Sequence, residues 1–193
     1  MNVGCRVRFI KQDITDFSVE AFVFYTRPNL ALGAGFGNAI AMRGGPSIKA
    51  ELERIGSVPL TGAVVTAGGN LKAKHIVHAA GPAFQEENIE AKLKITIVNA
   101  LRRAEEAGIR QLALPLMGVG FFGMPLATAT EIMIGTLKEY LAGGSSLTEI
   151  ILCANDGREY RAIAEQMGIS GTGYSITEFQ LRQEPCHPKE FGD

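Results

Sequence analysis

The sequence predicts an α/β protein with a largely parallel or mixed sheet and helices on both of its sides. Short apolar runs of strand length alternate with stretches of helical periodicity through most of the chain, which is typical of this fold class. Several of these runs are continuously apolar, as expected for strands buried on both faces. Glycines cluster where the strands end, and 23 glycines in 193 residues is an unusually large number.

The first half of the chain contains four predicted strands and two predicted helices. The strands cover residues 7–10, 21–25, 62–66 and 75–79. Pro28 ends the second strand because proline cannot donate to a ladder of backbone hydrogen bonds. The helices cover residues 38–43 and 47–54. Pro46 precedes the second helix, and proline is well suited to the first turn.

The second half continues the alternation of helix and strand. In residues 88–107, the apolar side chains of Leu93, Ile97 and Leu101 recur at four-residue steps, so we expect a helix that ends before Gly108. A strand at 111–117, a helix at 126–141, a strand at 149–154 and a helix at 159–167 follow. These elements complete the domain that we assign to residues 1–169.

Residues 170–193 differ in character from this domain. They are mostly polar at their end, contain two prolines and carry a weak strand pattern at 175–181. We therefore predict a C-terminal extension that packs on the domain or on a neighbouring subunit, which leaves a homo-oligomer open.

The overall composition excludes several classes of protein. Lys and Arg total 19 against 20 Asp and Glu, so no basic field is present to attract nucleic acid or an anionic membrane. No apolar stretch approaches the ~18 residues of a membrane helix, and the first residues do not resemble a signal peptide. The three cysteines, Cys5, Cys153 and Cys186, form no disulfide framework and no metal pair. We expect a cytoplasmic protein without a metal, a cofactor or a nucleic-acid partner.

Two glycine-rich loops follow predicted strands and precede helices. They cover residues 32–38 (LGAGFGN) and 117–123 (MGVGFFG). Glycine adopts positive φ and lets a ligand lie against the main chain, while the start of a helix attracts anions. Two such loops in one domain indicate opposite walls of a cleft for a phosphate or diphosphate. Tight packing of helix against sheet is the structural alternative.

The second loop also matches the GxGxxG pattern of dinucleotide-binding oxidoreductases. That pattern normally lies in the first strand–helix–strand unit, with an acid about 20 residues further on. Here the loop falls late in the chain, Pro125 interrupts the helix start, and the next candidate acid, Asp156, is too distant. The oxidoreductase interpretation is therefore disfavoured.

Four segments together resemble the macro domain, the ADP-ribose-binding family that includes Appr-1″-p processing-like proteins. They are DIT at 13–15, GAGFGNAIAMRGGP at 33–46, KHIVHAAGP at 74–82 and LPLMGVGFFGMP at 114–125. Their order and spacing agree with the family over roughly residues 5–168. The resemblance implies a three-layer α/β/α sandwich around a mixed, mostly parallel sheet. It also implies a cleft for ADP-ribose.

The resemblance further implies which residues bind this ligand. Asp13 matches the acid that accepts a hydrogen bond from the adenine amino group, and Ile14 lies beside it. Asn155 falls near the site where the family often places an aromatic that stacks on adenine. The residues that match the two diphosphate and ribose loops are Gly33, Ala34, Gly35, Phe36, Gly118, Val119, Gly120, Phe121 and Phe122.

The segment expected to hold the distal ribose departs from the family pattern. The family's Asn-Ala-Ala-Asn stretch falls on Phe24, Tyr25, Thr26 and Arg27. We include Arg27 among the candidate ligand contacts because a guanidinium can bind a terminal phosphate or carboxylate with two hydrogen bonds. A side chain that simply points to solvent is the alternative. Gly37 stands where the hydrolase branch of the family often carries an aspartate.

Three functions stay open at this point. The favoured one is a binding module for ADP-ribose or a related adenine (di)phosphate ligand, free or on an ADP-ribosylated protein, with an altered distal-ribose site. The second is a hydrolase of ADP-ribosyl or O-acetyl-ADP-ribose bonds, for which no catalytic residue can be named. The third is a macro fold with a vestigial cleft that acts in protein interaction.

Overall fold

The computed structural model describes residues 5–83 and 86–169, together with the backbone of 177–180. Its strands are β1 (Arg6–Lys11), β2 (Ala21–Thr26), β3 (Ala63–Ala67), β4 (His75–Ala80), β5 (Gln111–Pro115), β6 (Glu149–Ala154) and β7 (Thr177–Gln180). Its helices are α1 (Phe36–Gly44), α2 (Pro46–Ile55), α3 (Ile89–Glu106), α4 (Leu126–Ala142) and α5 (Gly157–Gln166). Two short 3-10 turns, Ile14–Asp16 and Gly120–Phe122, follow β1 and β5.

The strands form one sheet in the order β3-β4-β2-β5-β6-β1-β7. The pairs β4-β2, β2-β5, β5-β6 and β6-β1 are parallel, whereas the edge strands β3 and β7 are antiparallel to their neighbours. Parallel neighbours need crossover connections, and helices supply them on the faces of the sheet. The predicted mixed and mostly parallel sheet is confirmed.

The sheet separates two hydrophobic cores. Helices α3, α4 and α5 pack on one face, where Leu93, Met133 and Ile163 are fully buried. Helices α1 and α2 pack on the other face through Ile40 and Ile48. Successive residues of the buried strands point alternately into the two cores, which explains why these strands are continuously apolar. The three-layer α/β/α arrangement is confirmed.

The predicted element boundaries lie within two residues of those in the structure, and two of the differences have a clear physical cause. The strand predicted over 111–117 ends at Pro115, because the chain turns there into the second glycine loop. The helix predicted from residue 159 begins at Gly157, because the Asp156 side chain accepts hydrogen bonds from the backbone N–H groups of Arg158 and Glu159. Such an N-cap starts a helix two residues earlier than the apolar pattern indicates.

The described part of the C-terminal extension is β7. It pairs antiparallel with β1, with Phe9 opposite Thr177. β7 lies within the strand predicted over 175–181, whereas residues 170–176 and 181–193 lie outside the described part of the chain. The boundary at residue 169 and the packing of the extension as a whole stay predictions. No helix within 5–83 and 86–169 is long and apolar enough to cross a membrane.

His78 is a fully buried side chain of β4. Its Nε2 lies 2.8 Å from the Thr66 hydroxyl on β3, and its ring meets Phe24 edge-on at 5.9 Å. Burial lowers the pKa of the imidazole to about 4. The ring is therefore a neutral part of the core at neutral pH.

We expect the stability of the protein to fall on acidification because of His78. Its pKa is about 4 in the fold and near the usual 6.5 when unfolded, so the unfolded state binds more protons between these values. The contribution is complete above pH 6.5. The free energy of unfolding then decreases by on the order of 3 kcal/mol as the pH approaches 4.

Urea unfolding at several pH values between 4 and 7 measures this effect. His78→Gln, which can still bond to Thr66, is expected to flatten the dependence. His75→Gln changes an exposed histidine of the same strand and is expected to leave the dependence intact. Equal acid sensitivity of His78→Gln and the unchanged protein would contradict the prediction.

Candidate functional site

The carboxyl ends of β1, β2, β5 and β6 meet at a cavity of about 450 Å³. This volume is within the usual range for a small-molecule site, and the ends of parallel strands are where α/β proteins commonly bind ligands. The cavity is lined by Gln12, Asp13, Ile14, Phe24, Tyr25, Gly35, Phe36, Ala39, Pro115, Leu116, Gly118, Val119, Gly120, Phe122, Cys153, Asn155 and Glu159.

The first glycine loop connects β2 to α1 and reaches the cavity through Gly35 and Phe36. Gly35 has a φ of +61° and precedes the first residue of the helix. Gly37 is held against the chain that enters the loop, since a Cβ on Gly37 would lie 1.4 Å from the carbonyl oxygen of Leu32. No side chain fits at position 37. The acid that the hydrolase branch often carries there therefore has no room.

The second glycine loop connects β5 to α4 and lies along the cavity. Gly118 has a φ of +85° and Gly120 a φ of +63°, both in the region that favours glycine. A Cβ on Gly120 would meet nothing within 4 Å, so this residue borders open space. Val119 and Phe122 line the same cavity. The side chain of Phe121 lies outside the described residues.

Asp13 follows β1 and caps the short turn that comes after this strand. One carboxylate oxygen accepts hydrogen bonds from the backbone N–H of Thr15 at 2.9 Å and from its hydroxyl at 2.6 Å. The other oxygen accepts a bond from Arg43 at 2.6 Å. Partial burial works to raise the pKa of Asp13, but these bonds outweigh it and hold the pKa below its usual range. Asp13 is therefore an ionised acceptor.

Glu159 is a second carboxylate on the cavity wall. It lies in the first turn of α5, and one of its oxygens, Oε2, accepts a hydrogen bond from the backbone N–H of Asn155 at 2.7 Å. Burial of about half of the group is the main reason why the pKa of Glu159 is raised. Asn155 itself is exposed and lines the cavity. Asp13 and Glu159 thus form an acidic end where β1 and β6 finish side by side.

An aromatic wall bounds the cavity where β2 ends. The Tyr25 hydroxyl donates a hydrogen bond to the carbonyl oxygen of Pro82 at 2.9 Å, and its ring meets Phe122 edge-on at 4.4 Å. Gly81 lies directly against this ring, because a Cβ there would come within 2.1 Å of ring atoms. Burial raises the pKa of Tyr25 above its usual range. The ring is therefore fixed and its hydroxyl stays protonated.

A family model described as Macro domain matches residues 26–133, which cover both glycine loops. The chain belongs to the macro domain family. Curated relatives agree with this over most of the sequence. A macro domain-containing protein of Caldanaerobacter subterraneus is 32% identical over 166 residues, which cover 83% of this chain and 94% of the relative. An O-acetyl-ADP-ribose deacetylase of Citrobacter rodentium is 31% identical over 175 residues, covering 86% and 99% of the two chains.

Solved structures share the fold of this macro domain. An Oceanobacillus iheyensis macrodomain with ADP superposes with a TM-score of 0.79 at 20% identity, over 84% of this chain and 90% of that chain. A Trypanosoma brucei macrodomain in complex with ADP-ribose gives 0.78 at 23% identity, over 84% and 69%. The predicted family and fold are confirmed.

Most of the predicted ligand-binding residues of this macro domain border the cavity described above. They are Asp13, Ile14, Gly35, Phe36, Gly118, Val119, Gly120, Phe122 and Asn155. Gly33 and Ala34 are exposed in the first loop and are not part of the lining. Arg27 is likewise exposed just beyond β2 and away from the lining. The ligand-binding roles of all these residues stay predictions.

Sequence reasoning missed several lining residues of this macro domain. Gln12 and Cys153 reach the cavity because β1 and β6 are paired neighbours, although their residues are far apart in the chain. Glu159 was detectable in principle, since Asp156 at an N-cap places it in the first turn of a helix. Burial raises the pKa of the Cys153 thiol to about 12, so this residue is an apolar wall rather than a nucleophile.

The charges around the cavity have one sign. None of the lining residues that the structure describes is Lys, Arg or His. Within the same described ranges, no group of three or more metal-binding side chains occurs. Any anion held here would therefore depend on main-chain amides of the two glycine loops.

Proposed function

We propose that this macro domain is a binding module for ADP-ribose or a related adenine (di)phosphate ligand. The observation that carries the proposal is that the two ends of the cavity are lined by different chemical groups. Gly35, Gly118 and Gly120, all at positive φ, line the part that follows β2 and β5, whereas Asp13 and Glu159 line the part that follows β1 and β6. Backbone amides in such loops suit phosphates, and carboxylates suit a base that donates hydrogen bonds.

The known proteins support this ligand class. The Oceanobacillus iheyensis and Trypanosoma brucei macrodomains were solved with ADP and ADP-ribose, and the Citrobacter rodentium relative is named for an ADP-ribose derivative. A module of this kind also suits an ADP-ribosylated protein as its partner. The cavity volume of about 450 Å³ is compatible with a nucleotide.

An altered distal-ribose site is part of the proposal. The resemblance aligns the Asn-Ala-Ala-Asn stretch with residues 24–27, and there the cavity wall is the Tyr25 ring, held by Pro82 and Phe122. An aromatic ring offers a second sugar packing area but no amide to bond its hydroxyls. A ligand that ends at the second phosphate therefore fits the proposal at least as well as ADP-ribose.

Calorimetric titration with ADP-ribose, ADP and AMP tests the proposal. We expect ADP to bind at least as tightly as ADP-ribose, since the second ribose contributes little binding free energy by packing against Tyr25. AMP is expected to bind more weakly because it lacks the phosphate nearest the loop amides. No heat from any of the three ligands, together with no thermal shift, would contradict the proposal. That result would favour the vestigial cleft and a protein partner.

Asp13→Asn is expected to weaken ADP binding by about 1.5–3 kcal/mol, the range for a hydrogen bond to a charged group. Asparagine keeps an oxygen that can cap the turn at Thr15, so the fold is expected to persist. Asp16→Asn is the matched control, because Asp16 is exposed, pairs with Lys72 and does not line the cavity. Equal ADP affinity of the two variants in titrations would show that Asp13 does not bind the base.

Hydrolysis is the second candidate function, and the deacetylase relative is the observation that favours it. Two features of the site weigh against it. Position 37 has no room for an acid, and the Cys153 thiol stays protonated. We therefore expect binding without turnover when O-acetyl-ADP-ribose is incubated with the protein. Acetate release that scales with protein concentration would instead favour the hydrolase.

A further inference from the structure

Glu159 is a carboxylate of the cavity wall that has acceptor capacity left. A carboxylate offers about four acceptor positions. Oε2 of Glu159 accepts one bond, from Asn155, and no described group donates a hydrogen bond to its Oε1. Asp13, by contrast, already accepts two bonds from Thr15 and one from Arg43. Of the two carboxylates, Glu159 therefore has more room for a bond from a ligand.

The surroundings of Glu159 leave its charge uncompensated on the cavity side. The nearby Arg158 is exposed and pairs with Asp156 at 2.8 Å. None of the described lining residues is cationic. A half-buried carboxylate has lost part of its hydration. A hydrogen-bond donor on a ligand stabilises it, whereas the lone pair of a hydrogen-bond acceptor repels it. This arrangement discriminates between groups that donate and groups that accept.

We propose that Glu159 determines base specificity at the acidic end of the cavity, by favouring a base with an exocyclic amino group over a base with a keto oxygen. The inference rests on the proposed function and names the residue that selects the base of the ligand. A 6-amino purine such as adenine offers hydrogen-bond donors to Oε1. A 6-keto purine such as hypoxanthine presents an oxygen lone pair to the same carboxylate.

A capping role is the structural alternative for Glu159, because it accepts the Asn155 N–H next to the start of α5. Glu159→Gln separates the two roles. The glutamine oxygen can still accept the Asn155 bond, and its NH₂ group then faces the cavity as a donor. Helix capping is thereby kept while the charge is removed and the preference for donors is reversed.

The experiment is calorimetric titration of the full chain with ADP and with inosine diphosphate, which differ in the 6-position of the base. The unchanged protein is expected to favour ADP by about tenfold or more, as for a hydrogen bond to a charged group. Glu159→Gln is expected to reduce this ratio by about tenfold. It does so by weakening the binding of ADP and strengthening the binding of inosine diphosphate. The thermal unfolding temperature is expected to change little.

Glu165→Gln is the matched control, because Glu165 is exposed on the same helix, does not line the cavity and carries the same charge. It is expected to keep the ratio of the unchanged protein. If Glu159→Gln keeps this ratio while ADP still binds, the residue is a cap only and the inference is overturned, whereas the proposed function stands. If the unchanged protein binds neither diphosphate, the proposed function and the inference both fail.

Discussion

Gly37→Ala is expected to lower the free energy of unfolding by about 3 kcal/mol, the upper end of the usual cost of overpacking. The added Cβ would lie 1.4 Å from the Leu32 carbonyl oxygen and 2.3 Å from its carbon, both of which are backbone atoms. No change of rotamer relieves such a contact, so the first glycine loop has to move away from α1. Urea unfolding of the variant measures the loss.

Gly135→Ala is the matched control for this substitution. Gly135 is also a helical glycine, in α4, but a Cβ there would meet nothing within 4 Å. Alanine is the better helix former, so we expect this variant to be more stable by about 0.5–1 kcal/mol. Equal stability of Gly37→Ala and the unchanged protein would mean that the loop does not approach α1 as closely as described.

Gly120→Val is expected to weaken ADP binding by about 100-fold, which corresponds to roughly 2.7 kcal/mol. The φ of +63° at this position is unfavourable for a β-branched residue, and the side chain would extend into the open space of the cavity. A diphosphate that lies against the loop would lose both its room and the orientation of the loop amides. Calorimetry with ADP measures the effect.

Gly56→Val places the same side chain at another glycine of positive φ, away from the cavity. Gly56 follows the end of α2 at a φ of +82°, and a Cβ there would also meet nothing within 4 Å. Both variants are expected to lose stability, because a β-branched residue rarely adopts positive φ. Gly56→Val alone is expected to bind ADP normally. Normal ADP affinity in Gly120→Val would remove the second loop from the proposed diphosphate site.

The elements of the sheet and its helices could be predicted because their signals are local. The four-residue spacing of Leu93, Ile97 and Leu101 is sufficient to define one face of α3, and all three side chains are buried. The unbroken apolar run of β2 indicates burial on both faces, and every residue of this strand is buried. The end of β5 and the start of α5 differ from the predicted bounds because a turn after Pro115 and an N-cap at Asp156 override the apolar pattern.

The candidate site could be predicted only in part. Gly35, Gly118 and Gly120 are recognisable because a need for positive φ is a property of the local chain. The resemblance to the macro domain family added Asp13 and Ile14 to the predicted site. Tyr25 could be suspected from the departure at residues 24–27, but its bond to Pro82 and its contact with Phe122 join segments far apart in the chain. Such contacts leave no local pattern.

The sequence by itself determined the fold class and the two glycine loops, because periodicity, strand burial and glycine conformation act over a few residues. The family followed from the resemblance of four sequence segments to the macro domain. Only the tertiary structure decided which side chains share the cavity. Glu159 faces the same space as Asp13 because β6 pairs with β1, a parallel neighbour more than a hundred residues away. Arg27 lies outside the lining because the chain turns to the surface once β2 ends. Strand order and chain direction are cooperative properties of the whole sheet, and they set the chemistry of the site.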